Sequence, residues 1–158
     1  MLTAGNSVPD QIIPILIHLI SATTSLHEYT VSRLFESILI DVTNQPLNQV
    51  ASWCIGEYAD VLINKGTTPD GKIYNIYYNY NRYQISEIIG ALNKLVKSHL
   101  SSKSTKSYAI NAMAKLTNRV NPAALITIQS QVQQYGSSMI LELQQRSVEF
   151  SALFNKVI

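Results

Sequence analysis

The chain has 158 residues, 46% hydrophobic and 14% charged, with a net charge of +2. That much apolar material excludes a disordered chain and is enough for one sizeable core, while so small a net charge gives no argument for nucleic acid from the total. The single cysteine, Cys54, excludes an internal disulfide and fits a reducing compartment, and the longest apolar stretch, Ile12 to Ile20, is interrupted by Pro14 and His18 and is far short of a membrane span.

Seven helices are predicted. The first covers about 9–22, opened by Ser7-Val8-Pro9-Asp10 with a cap-like Ser and a Pro in the first turn. The second covers about 26–40, announced by a capping box in Ser25-Leu26-His27-Glu28, with Val31, Leu34, Phe35 and Ile38 as its stripe. The third runs from Pro46 to about Ile63, and Leu47, Val50, Ala51, Cys54, Tyr58, Val61 and Leu62 fall on one face. A break at 64–81 holds the turn signal Pro69-Asp70-Gly71 and an Asn/Tyr-rich run, with a weak hairpin signal inside 72–81. Helix four covers about 82–100, with Ile85, Ile88, Ile89, Leu92, Leu95 and Val96 aligned. Helix five covers about 104–119, with Ala109, Met113, Leu116 and Val120 aligned. Asn121-Pro122 opens helix six as an N-cap and a first-turn proline; Leu125, Ile128, Val132 and Tyr135 form its stripe, and Gly136 is placed to end it in a left-handed cap. Helix seven covers about 138–156, with Leu143, Phe150, Phe154 and Val157 inward.

Short links between helices force antiparallel packing. Similar segments recur in helices three, five and seven, centred on Ala51, Ala109 and Arg146. The second interval is 37 residues and the first is 58, a surplus of 21 that matches the Asn/Tyr-rich break. A period near 37 with two helices per unit predicts an all-α, right-handed α-α superhelix of the HEAT or armadillo kind, three and a half units long, with an insertion at 64–81. Helix one is apolar nearly all round (Ile12, Ile13, Ile15, Leu16, Ile17, Leu19, Ile20) and expects neighbours on both sides. The chain is therefore expected to be a single helical-repeat segment, 1–158, excised from a longer solenoid.

Charge is unevenly placed. Residues 1–62 hold six acids and one base, and residues 63–141 hold nine bases and two acids. Solvated helix faces are the ordinary reading of such a pattern; partners of either sign are the other.

No catalytic, cofactor or metal set is found. His18, His27 and His99 sit on separate helices, with no Cys or carboxylate at metal-ligand spacing, and His18 is read as a satisfied packing residue. Cys54 lies on an apolar stripe and is expected to be an inert, buried thiol. Glu57 and Asp60 are expected on a solvated face or in a salt bridge to the next repeat, and Trp53 is expected to be covered. The run of Tyr74, Tyr77, Tyr78, Tyr80 and Tyr83, with Lys72 and Arg82, suits either a mobile insertion, a Tyr-rich protein contact, or stacking on single-stranded nucleic acid.

Three blocks carry a resemblance. Gln45-Pro46-Leu47-Asn48-Gln49-Val50-Ala51-Ser52-Trp53-Cys54-Ile55-Gly56-Glu57-Tyr58 and His27-Glu28-Tyr29-Thr30-Val31-Ser32-Arg33-Leu34 are similar to segments of the gamma-adaptins. So are Tyr135-Gly136-Ser137-Ser138, Glu142 to Phe150, and Ala152-Leu153-Phe154. The similarity reaches across roughly 1–62 and 104–156 and belongs to the C-terminal part of the helical trunk. Residues 64–100 depart from it, with Lys, Asn and Tyr where the family usually carries an acidic linker.

The resemblance implies a scaffolding segment, not an enzyme, in a clathrin adaptor large subunit of the trans-Golgi network and endosomes. It implies partnership with a beta-type adaptin, a mu and a sigma subunit. Through the full complex it implies an Arf-family GTPase, clathrin and a peripheral place on Golgi and endosomal membranes from the cytoplasm. No nucleic acid, cofactor or metal is implied, and no binding residue is marked. In the matched residues Gly56 is expected to allow close helix approach, and Arg146 to pair with Glu142 or Glu149. A helical-repeat binding module of another class, for nuclear transport or RNA and using the basic half 65–119, is the alternative reading.

Overall fold

The computed structural model describes residues 7–63 and 83–156. The seven expected helices are present: α1 (Ile12–Ala22), α2 (His27–Ile40), α3 (Gln45–Tyr58), α4 (Ile85–Lys97), α5 (Lys103–Leu116), α6 (Pro122–Gln133) and α7 (Leu141–Lys156). Among the described residues the only β pairing is a single parallel bridge between Ile63 and Tyr83, which brings together the two ends flanking 64–82. The expected insertion at 64–81 and the weak hairpin inside it lie outside the described residues.

The helices stack in two layers. α1, α3, α5 and α7 follow one another in one layer, and α2, α4 and α6 in the other, with α2 on α3, α4 on α5 and α6 on α7. This is the alternating order of an α-α solenoid. One continuous core runs between the layers. Phe35 and Ile38 of α2, Val50, Cys54 and Ile55 of α3, Ile88, Leu92 and Leu95 of α4, and Ile110 and Met113 of α5 are all fully buried.

Several helix ends differ from the sequence expectation. α1 begins at Ile12 rather than Pro9, after a turn in which Ile12 N–H donates to the Pro9 carbonyl (3.0 Å). Pro14 is the reason: a proline lacks the N–H and is tolerated only in a helix's first turn. The capping box at Ser25-Leu26-His27-Glu28 does not form; Thr24–Leu26 makes a 3-10 turn, and α2 starts at His27 without a side-chain cap. α3 and α5 each finish earlier than expected and tighten into 3-10 turns, Ala59–Val61 and Thr117–Arg119. α4 begins at Ile85 instead of Arg82, because Glu87 Oε2 accepts from Gln84 N–H (2.7 Å) and fixes the start there. Its end is Lys97, after which Ser98 turns extended.

α6 opens as expected, with Asn121 Oδ1 accepting from Ala124 N–H (2.9 Å) and Pro122 at the first position. Gly136 does not form a left-handed cap. It lies in the 3-10 turn Gln134–Ser137, where a Cβ would meet Ser147 Oγ at 3.6 Å. α7 begins at Leu141 rather than Ser138, whose backbone is extended and whose hydroxyl accepts from Ile140 N–H (3.1 Å).

Candidate docking groove

Trp53 of α3, the part of α5 from Tyr108 onward and the part of α7 from Arg146 to Phe154 line a groove of about 620 Å³ on the odd-numbered layer. Its walls are Trp53 from α3, Tyr108, Asn111 and Lys115 from α5, and Arg146, Phe150 and Leu153 from α7. The spacing of the repeat brings these residues together, since the segments centred on Ala51, Ala109 and Arg146 sit at like places in three successive helices of one layer.

The groove is shaped by how closely α3 and α5 approach. A Cβ built on Gly56 would stand 3.1 Å from Ala112 Cα, closer than side chains normally come to a neighbouring backbone, so the expectation for Gly56 holds. Polar residues lock the same junction at its other end. Gln45 Nε2 donates to the Leu100 carbonyl (2.9 Å), and Gln45 Oε1 accepts from Ser102 N–H (2.8 Å) and from the Thr105 hydroxyl (2.7 Å). Gln49 Nε2 reaches the same Thr105 hydroxyl in the buried interior (3.2 Å). Two glutamines thus hold the start of the next repeat's α5.

Charges cross the junction too. Lys115 pairs with Glu57, and Arg119 lies 3.9 Å from Asp60 and donates to the Glu57 carbonyl. The expected salt bridge to the next repeat is therefore formed. Lys115 also sits 5.3 Å from the centre of the Trp53 ring, which in turn meets Tyr58 edge-on at 6.0 Å. Trp53 is largely covered, packed against the core with part of its ring left open to the groove. Arg146 pairs with Glu142 (3.2 Å), as expected, and crosses to Asn111 Oδ1 of α5 (3.1 Å), a tie the single-helix reading missed. Glu149 takes Gln145 Nε2 instead (3.0 Å).

The groove has no reactive group. Cys54 lies behind it, fully buried, and burial, with the Glu57 carboxylate second, pushes its thiol up to about 12. Burial also raises the Tyr108 phenol, with Asp10 adding to it. The histidines stay apart. His27 Nε2 donates to the Ile20 carbonyl (2.8 Å) and stacks on Tyr58, whereas His18 is exposed, so its expected packing role is corrected. His18 follows Pro14 by four residues on a face that is open to solvent in α1. Among the described residues no three His, Cys, Asp or Glu side chains gather where a metal would sit. Tyr83, the one described tyrosine of the Tyr-rich run, packs edge-on against Phe35 at 4.5 Å and donates its N–H to the Leu62 carbonyl.

A family model described as the adaptin N terminal region matches residues 1–157. The chain belongs to the adaptin family. This adaptin segment is 38% identical over 154 residues to the mouse protein AP-1 complex subunit gamma-like 2, with 98% of the chain and 18% of that protein covered. It is 35% identical over 159 residues to AP-1 complex subunit gamma of Dictyostelium discoideum, covering 98% of the chain and 17% of that protein. It is 34% identical over 153 residues to AP-1 complex subunit gamma-2 of Arabidopsis thaliana, covering 97% and 17%. The adaptin segment spans less than a fifth of the length of these relatives. The match assigns it to the N-terminal region of adaptins and lends no support to the narrower expectation, a place in the C-terminal part of the trunk.

The reading as a nuclear-transport or RNA-binding repeat likewise finds no support in these relatives. Its basic half is partly neutralised inside the adaptin segment, where Lys115 and Arg119 answer Glu57 of α3 and Asp60 of the 3-10 turn that follows it. Among the described residues no helix is long and apolar enough to cross a membrane.

Proposed function

We propose that this chain is a scaffolding segment of a clathrin adaptor large subunit, acting in vesicle-mediated protein transport and in cargo sorting at the trans-Golgi network and endosomes. The observation that carries the reading is the family match across 157 of 158 residues, joined to relatives whose names are those of AP-1 gamma subunits. The helix-on-helix ties at Gly56, Gln45 and Arg146 suit a part whose work is to hold shape. In this role the chain catalyses nothing. It is one repeat-built stretch, 1–158, of a longer solenoid. It works beside a beta-type adaptin, a mu and a sigma subunit. The whole complex meets an Arf-family GTPase and clathrin on the cytoplasmic side of Golgi and endosomal membranes. A position late in the trunk rests on the three sequence blocks alone, and the full reading frame decides it.

Co-expression tests the assembly. The full-length protein containing this segment, carrying an affinity tag, should copurify with beta-type, mu and sigma subunits in equal amounts. Purification of the tagged protein without any of them contradicts the reading.

A further inference from the structure

Three donors in the groove between α3, α5 and α7 have nothing to donate to. Trp53 brings an indole N–H, Tyr108 a phenol O–H and Asn118 a side-chain amide. Among the described residues none of these three side chains makes a hydrogen bond, and the Trp53 and Tyr108 donors are not sealed from solvent. Around them the lining is apolar. Phe150 leans on the core with part of its surface free, and Leu153 is 54% exposed. The charges of the groove suit neither sign of ligand. Its two charged lining residues, Lys115 and Arg146, are cations, which disfavours a basic ligand, and both are already paired, with Glu57 and Glu142. Asp10 acts on Tyr108, and Glu149 stands beside Phe150 on α7, so the rim disfavours an acidic ligand as well.

We propose that this groove docks a proline-rich segment of a partner protein in the extended polyproline II form. Such a segment is neutral, offers backbone carbonyls outward, and carries few N–H groups of its own. The carbonyls meet the unused donors of Trp53, Tyr108 and Asn118, and no donor of the ligand is left needing an acceptor in an apolar trough. Prolyl rings and aliphatic side chains cover the open surfaces of Trp53, Phe150 and Leu153, the way aromatic-lined grooves hold such segments. Length agrees. Neighbouring helix axes stand about 9 Å apart, so the path from α3 across α5 to α7 is about 18 Å, or about six residues at the rise of this helix. The segment is already extended before it binds, so little ordering entropy opposes docking on a shallow surface. The proposal goes beyond the adaptor reading, which assigns the groove no ligand.

The test is a titration of the chain into a fluorescein-labelled peptide of Pro-Pro-Leu repeats, followed by anisotropy. Emission of Trp53, the only tryptophan, is read in parallel with unlabelled peptide. Anisotropy should rise to saturation, Trp53 emission should change over the same range, and neither should respond to added salt. A peptide with Ala in place of every Pro should bind about tenfold more weakly or worse, having lost its preformed shape. Phe150→Ala should lower affinity about tenfold or more, as loss of an aromatic anchor does. Two gentler variants guard against a folding defect: Tyr108→Phe, which removes only an unpartnered O–H, and Leu153→Ser, at an exposed site. Both should melt like the parent, and Tyr108→Phe should bind about threefold more weakly or worse. No saturable rise, a rise without change at Trp53, equal binding of the Ala peptide, or Tyr108→Phe and Leu153→Ser variants that bind like the parent would each overturn the proposal. Tighter, salt-sensitive binding of a Glu-rich or Lys-rich peptide would reassign the groove to a charged partner and overturn it too. None of these results bears on the copurification test of the adaptor reading.

Discussion

α1 and α3 make an instructive pair. α1 is by far the more apolar, yet only Ile13 of its eleven residues is buried, and Ile15 and Leu19 stand about 60% exposed. α3 mixes Asn48, Gln49 and Ser52 with its aliphatic residues, and nine of its fourteen residues are buried, those three included. Burial here follows position in the stack, not hydrophobicity. α3 lies between α1 and α5 in its own layer and is backed by α2, whereas among the described residues α1 packs chiefly on α2, α3 and the turn between α1 and α2. Small residues make the crowding around α3 tolerable, because Ala51, Gly56 and Ala112 let two backbones approach until a methyl added at Gly56 would stand 3.1 Å from the Ala112 Cα and force it to give by a few tenths of an ångström.

The sharpest way to break this contrast is a charge in the α3 interior. Cys54→Arg should abolish cooperative unfolding and helical circular dichroism, because it places an unpaired cation in a close-packed, dry site. Cys54→Ala should cost only about 1–2 kcal/mol, the loss of one small side chain. Next in size is Gly56→Val, whose methyls would strike the Ala112 backbone and cost about 1–3 kcal/mol by overpacking. Chemical denaturation measures both, and a Gly56→Val variant as stable as the parent would mean that α3 and α5 are not in close contact.

Gln45→Ala follows, at about 1–2 kcal/mol. It removes two hydrogen bonds to the α4–α5 link and one to the first turn of α5, and strips partners from the Ser102 N–H and the Thr105 hydroxyl. Denaturation should show a lower midpoint with an unchanged slope. The pH profile sharpens the comparison further. The Cys54 thiol is held neutral in the fold, so its folded value near 12 lies above its ordinary value of 9.0. Stability from this site is complete below the ordinary value. It declines as pH rises toward 12, since only the unfolded chain then ionises freely. A Cys54→Ala variant should lose that decline. Smallest of all is the open face of α1. Ile15→Gln with Leu19→Gln should change stability by less than about 0.5 kcal/mol and reduce self-association seen by light scattering.

Much of this contrast was legible in the residues. The stripe of Val50, Ala51 and Cys54 marked the inner face of α3, with Leu62 buried just beyond its end, and the 37-residue recurrence marked the repeat. Glu57 and Asp60 found their partners in the next repeat, as acids on one helix and bases one period on would suggest. Helix ends were harder to read because a cap depends on backbone geometry as well as residue type. Ser25 and Glu28 have the spacing of a box, but the chain enters α2 through a 3-10 turn and leaves that box unmade. The glutamine lock was hidden for a different reason. Gln45 acts on a link 55 residues further along, and nothing in its own neighbourhood signals that. The Arg146–Asn111 tie, and the groove beneath it, escaped for the same cause: both need two helices to be placed before either residue has a meaning.

The central claim is that the α3–α5 junction is dry and tightly closed while the open face of α1 is not, and Cys54 is its natural reporter. Labelling the chain with a polar thiol reagent, with and without denaturant, tests it directly. Under native conditions the reaction should be slower than in the unfolded chain by several orders of magnitude, with a rate that tracks global unfolding as denaturant is added. Labelling of the native chain at a rate near that of the unfolded chain would contradict it.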